Sequence, residues 1–105
     1  MKNRNALIIF AKSPESGNVK TRLSGHLDED ERLKLYTNLL ESTVQKLRNI
    51  PGVDTFISYA GYGKYFEKFG LRTFPQSEGD LGRRMHLDME RVLGEGYEKA
   101  VLVGV

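Results

Sequence analysis

The longest unbroken apolar run is Ala6-Leu-Ile-Ile-Phe-Ala11, and it stops at a polar stretch, residues 12–17, that carries Pro14 and Gly17. A short apolar run without alternation, closed by turn residues, predicts a strand buried on both faces and followed by a loop. From Asp28 the period changes. Leu33, Tyr36, Leu40, Thr43, Leu47 and Ile50 recur every three or four residues, with Leu39 and Val44 beside them, which predicts an amphipathic helix. Asp28 and Glu31 have the spacing of a capping box, and the carboxylates of residues 28–31 suit the positive end of the helix dipole. Lys46 and Arg48 fall near its negative end, and Pro51-Gly52 stops the run.

Residues 53–60 hold Val53, Thr55, Phe56, Ile57 and Tyr59 between glycines and predict a second strand. Residues 61–70 suit a short helix with Tyr62, Tyr65, Phe66 and Phe69 on one side and Lys64 and Lys68 on the other. Residues 71–74 read as a short third strand ended by Pro75. Residues 80–95 place Leu81, Met85, Met89, Val92 and Leu93 at core spacing, with Asp88 and Glu90 on the expected solvated face, and Gly94 and Gly96 end that helix. Residues 100–105 predict one more buried strand. Strands alternating with helices imply right-handed crossovers and an α/β fold: a Rossmann-like, three-layer α/β/α arrangement with a mostly parallel sheet. In such sheets ligands sit beyond the carboxyl ends of the strands.

Composition narrows the picture. The chain has 105 residues, the size of one domain, and its 39% hydrophobic and 10% aromatic content suits one modest core, so residues 1–105 are expected to form a single unit. A charged share of 29% with 16 basic against 14 acidic residues excludes a polyelectrolyte tail. The net charge is only +2, yet residues 1–25 hold five Lys/Arg against the single Glu15, so an anion site is expected near the amino end. With no cysteine, thiol redox chemistry and thiolate metal sites are excluded. The longest apolar run falls far short of the ~20 residues of a membrane helix. The expectation is a cytoplasmic protein without a membrane partner.

Two segments carry candidate chemistry. Residues 12–23 follow the first strand, where Lys12, Lys20 and Arg22 bring three cations and Gly17 permits close backbone approach. Arginine offers a fork for phosphate oxygens and lysine a mobile point charge, so the set suits a polyphosphate. A solvated basic loop accounts for the same residues. Neither a Walker loop nor a dinucleotide fingerprint is present. Residues 75–85 lead into the second long helix: Asp80 can cap it, Gly79 and Gly82 allow close approach, and Gln76 is placed to hydrogen-bond a base or sugar. Arg83 and Arg84 sit in the first turn, where the dipole disfavours cations, so an anion there would relieve a conflict. Taken alone, the segment is better read as a plain capped helix with outward arginines.

Other groupings point to packing. His26 and His86 lie in unrelated contexts, which argues against a metal pair or a triad. The aromatics of residues 59–74, interleaved with Lys64, Lys68 and Arg72, have the ingredients of a stacking platform. Their helical spacing and the low net charge favour core packing over nucleic acid. Met85 and Met89, one turn apart, are expected to fill core.

Taken together, the two segments resemble the nucleotide-diphospho-sugar transferase-like family of radical-SAM/selenodomain-associated transferases. The family pattern Lys-x-Pro-x-x-Gly-x-Val-Lys-Thr-Arg-Leu is matched by Lys12, Pro14, Gly17, Val19, Lys20, Thr21, Arg22 and Leu23. Its Gln-x-x-Gly-Asp-Leu-Gly-x-Arg-Met segment is matched by Gln76, Gly79, Asp80, Leu81, Gly82, Arg84 and Met85. The resemblance implies a glycosyltransferase-A type fold, similar to nucleotidyltransferases such as 2-phospholactate guanylyltransferase, with a nucleoside phosphate or nucleotide sugar held over the sheet. By that likeness Lys12, Lys20 and Arg22 contact phosphates, and residues 76–84 line the nucleotide pocket.

The resemblance also implies a Mg2+ or Mn2+ ion, for which Asp80 is the one carboxylate expected at the crevice. Ser16 replaces a frequent proline and Arg83 a frequent glutamate. Val105 stands where the family strand leads into a Ser/Thr-Asp-x-Pro segment, so the resemblance covers an amino-terminal half. The expectation is donor binding without turnover. The rival expectation is a noncatalytic remnant whose exposed sheet edge serves self-association or a protein partner.

Overall fold

A computed structural model describes residues 3–14 and 28–105. Strand β1 (Asn5–Lys12) is followed by helix α1 (Glu29–Leu47), strand β2 (Val53–Ala60), a 3-10 helix (Gly63–Phe69), strand β3 (Arg72–Pro75), helix α2 (Leu81–Gly94) and strand β4 (Lys99–Gly104). The four strands form one parallel sheet in the order β3-β2-β1-β4. β1 is therefore bonded on both edges, and it is packed on both faces, which is why the apolar run is continuous rather than alternating. Ile8 and Ile9 have no exposed surface at all.

Successive β1 side chains serve opposite faces. Leu7, Ile9 and Ala11 pack with Tyr36, Leu40 and Val44 of α1, Ile57 of β2, and Phe66 and Phe69 of the 3-10 helix. Ala6 and Ile8 pack on the other face with Phe56, Phe74, Val92 of α2 and Tyr97. The aromatics of the 3-10 helix thus fill core as expected, and Tyr62 is the exception, exposed ahead of its first turn. The α1 start is a capping box: the Glu31 N–H donates to Asp28 Oδ1 at 2.7 Å, and the Asp28 N–H donates to Glu31 Oε1 at 3.5 Å. His86 lies on the surface beside Glu90, at 3.1 Å.

Three expectations are corrected. Leu39, Ile50, Leu81 and Leu93 are exposed rather than core. The buried stripe of α1 is the narrow row Tyr36, Leu40, Val44, and each step of one residue turns a side chain by ~100° off such a row; Leu93 is turned away from buried Val92 in the same manner. Asp88, expected on a solvated face, is 2% exposed and takes a place in the buried row of α2, four residues before Val92. β4 is an edge strand, paired only with β1 among the described residues, and its Val101 is more than half exposed where a doubly covered strand was expected.

No helix among the described residues is long and apolar enough to cross a membrane.

Candidate functional site

The chain runs β1 to β2 to β3 outward in one direction and then places β4 on the opposite side of β1. The strand order reverses between β1 and β4, and the carboxyl ends of a parallel sheet at such a reversal are where a crevice opens.

Each loop leaving those ends is tied down by backbone polarity that the ladder no longer satisfies. The Ser13 N–H donates to the Ala60 carbonyl at 2.9 Å, the Gln76 N–H to Tyr59 at 2.8 Å and the Val105 N–H to Phe10 at 3.1 Å. Ser13 is fully buried, and its Oγ accepts the Tyr62 N–H at 2.9 Å. Lys12 is held from α1. The Tyr36 hydroxyl accepts the Lys12 N–H at 3.0 Å and donates to the Lys12 carbonyl at 2.7 Å, so a buried phenol closes both backbone groups at the end of β1. Burial pushes the Tyr36 hydroxyl above the ordinary tyrosine value, partly opposed by the Lys12 N–H. The Lys12 side chain itself is exposed, and strand alternation places it on the face of Phe10, the face that α2 covers.

On that face the second segment assembles. Asp80 caps α2, its Oδ1 accepting the Arg83 N–H at 2.8 Å. Gly79 precedes it at φ 118°, a region that strains any residue with a Cβ. Arg83 is exposed, but Arg84 is not outward: its Nη1 donates to Gln76 Oε1 at 2.7 Å and its guanidinium carbon lies 5.7 Å from the centre of the Phe10 ring. Its Nε is buried without a hydrogen-bond partner. Phe10 pairs in register with Gly104 of β4, which has no side chain to fill the space beside the ring. Gln76 Nε2 donates to the carbonyls of Ser58, at 3.1 Å, and Ala11, at 3.3 Å.

Beneath this group, one helical turn past Arg84, Asp88 accepts a short hydrogen bond from the Ser58 hydroxyl, both residues being buried. Burial pushes the Asp88 carboxyl up, and the Ser58 hydroxyl and the positive charges of Arg91 and Arg84 oppose that rise.

Of the residues expected from sequence, Gln76, Gly79, Asp80 and Arg84 are brought together at the carboxyl ends of the strands, with Lys12 on the same face. Gly17, Lys20 and Arg22 lie outside the described residues. Sequence reasoning did not find Tyr36, Ser58 or Asp88. The available signal was a serine inside an apolar strand and a carboxylate four residues from an arginine in a helix whose remaining row is apolar.

The described residues alone do not assemble a donor set for a divalent cation. Among the described residues no three His, Asp or Glu side chains gather to hold a metal ion. The Asp80 Oδ1 is engaged as a cap. Hard cations need several oxygen ligands.

No family profile matches the chain, and no curated protein does. Among solved structures it is similar to a crystal structure from Desulfovibrio desulfuricans G20 whose protein is provisionally assigned as a nucleotide-diphospho-sugar transferase. The identity is 31% and the TM-score 0.86, over 98% of this chain and 47% of that one. The chain spans about half the length of that relative. The likeness agrees with the resemblance carried by the two sequence segments and with the four-stranded parallel α/β sheet.

Proposed function

We propose that this chain, with the fold of the nucleotide-diphospho-sugar transferases, binds a nucleoside phosphate or nucleotide sugar by its phosphates over the carboxyl ends of β1 and β4. In that role it is the donor-binding part of a glycosyl- or nucleotidyl-transferase. The observation that carries the reading is Arg84. A guanidinium fixed at the reversal point of the sheet, in the first turn of a helix and with a single hydrogen bond, from Nη1 to Gln76, is unfavourable until an anion arrives. Planar N–H pairs match phosphate oxygens. Lys12 supplies a second, mobile charge on the same face, and Lys20 and Arg22, which lie outside the described residues, are added to the set on the sequence pattern alone.

Transfer from a diphosphate builds negative charge on the leaving phosphate, and fixed cations stabilise that charge where water is excluded. To these residues we assign binding of the donor. The test is residue-resolved NMR with UDP-glucose, GTP, CTP and UTP, with and without Mg2+. Shifts concentrated at Lys12, Lys20, Arg22 and Arg84 are expected; none at millimolar ligand defeats the reading.

A second reading, self-association through β4, has one observation in its favour: an edge strand carrying exposed Val101. Sedimentation equilibrium decides it, a monomer across the accessible concentrations removing it.

A further inference from the structure

We infer that Gln76 is a positioning residue that aims Arg84, and not the contact to base or sugar that its place in the sequence suggests. The inference rests on the phosphate-binding reading of Arg84. It follows from the inventory of one amide. A glutamine side chain has two N–H donors and one oxygen with two lone pairs. Both donors are spent, on the carbonyls of Ala11 and Ser58 at the ends of β1 and β2, and the oxygen accepts from Arg84 Nη1. Its backbone N–H is spent on Tyr59. The orientation of the amide is fixed by chemistry. Flipped, it would set its oxygen against two carbonyl oxygens and its NH2 against a guanidinium. Donating to a base or sugar would require breaking one of these bonds, and the side chain has left only the second lone pair of an oxygen already turned to Arg84.

Held this way, Gln76 spans two neighbouring strands and presents a single acceptor to α2. Arg84 has five N–H groups, of which one is used by Gln76. The Nε–H remains buried and unpartnered against Phe10. Gln76 thereby fixes the plane of the guanidinium and leaves Nη2 for a phosphate group, the part of the donor common to every nucleotide. The ligand recognised through this pair is the phosphoryl chain, irrespective of base.

Inorganic pyrophosphate, which has neither base nor sugar, separates the two roles. Gln76→Met is expected to weaken pyrophosphate binding about tenfold, the scale of one charge-assisted hydrogen bond. In an Arg84→Met background the same change is expected to do nothing further. Unchanged pyrophosphate affinity in Gln76→Met, with weakened UDP-glucose affinity, overturns the inference in favour of a base or sugar contact.

Two measurements on the free protein keep the inference apart from the reading on which it rests. The Arg84 Nε–H order parameter is expected to be high in the wild type and to fall in Gln76→Met; equal order in both overturns the positioning role. The Gln76 NH2 protons are expected to exchange slowly in the wild type, and fast exchange of both overturns it even where Gln76→Met does not fold. Absence of pyrophosphate, UDP-glucose and GTP binding in the wild type instead defeats the proposed function.

Discussion

Replacing Tyr36 by phenylalanine removes one oxygen atom and two hydrogen bonds. The hydroxyl joins α1 to the end of β1 by accepting from the Lys12 N–H and donating to its carbonyl, at 3.0 and 2.7 Å, and Tyr36 is 2% exposed. The ring stays in place among Leu7, Ile9 and Leu40, so the transfer free energy of the aromatic surface is nearly unchanged. Two neutral hydrogen bonds at about 1 kcal/mol each put the loss near 2 kcal/mol. Lys12 is exposed at the strand end, so water reaches part of its backbone and the full penalty of two orphaned buried groups does not apply. For a domain of this size the expected fall in Tm is about 10 °C.

Urea melts followed by far-UV circular dichroism measure the difference, with an unchanged m-value showing that the unfolded state is not altered. The direction of the Tyr36 shift adds a check. A phenol raised by burial contributes stability that is complete below the ordinary tyrosine value of about 10 and is lost as pH rises through its folded value. Tyr36→Phe should therefore lose less stability than the wild type on the alkaline side. A loss under ~0.5 kcal/mol, the range of ordinary surface changes, would refute the clasp.

Asp88→Asn tests the buried carboxyl. Its raised pKa means that it contributes fully below the ordinary aspartate value of about 3.9 and less as pH rises through its folded value. The stability gap between wild type and Asp88→Asn should narrow from pH 4 to pH 7 in urea melts, and a widening gap contradicts the assignment. Leu40→Ala, at a position with no exposed surface between α1 and β1, should cost about 2–5 kcal/mol in the same melts, whereas Leu39→Ala on the exposed side should cost much less. Asp28→Ala removes the α1 cap and should lower stability by about 1 kcal/mol, with hydrogen exchange quickened at Glu31 and nearby amides rather than across the sheet.

The elements were legible because each is written locally. An unbroken apolar run marks β1, and the Asp28/Glu31 spacing marks the start of α1 at the capped residue. Glycines bound β2. What was not legible depends on partners distant in sequence. Asp88 reads as solvated because helical periodicity assigns carboxylates outward, and its burial is made tolerable by Ser58, thirty positions earlier on β2, together with the charges of Arg91 and Arg84. β4 reads as fully covered because its residues are apolar; which neighbours a strand acquires is decided by topology. In the candidate site, residue identity was legible at Gln76 and Arg84 while role was not, since an amide committed to two carbonyls and an amide free for a ligand are spelled alike. Gly17, Lys20 and Arg22 lie outside the described residues, so their part of the site stands on the sequence.

Ser58 holds two tethers at once, its carbonyl receiving Gln76 and its hydroxyl gripping Asp88. Both lead to Arg84, one by direct bonding through the glutamine and one by the charge of the aspartate a turn away. A swap to alanine at this single hub severs the second tether outright while sparing the first. It thereby offers a way to dial the electrostatics around the guanidinium without disturbing its aim, a separation of two variables that no change at Arg84 itself can achieve.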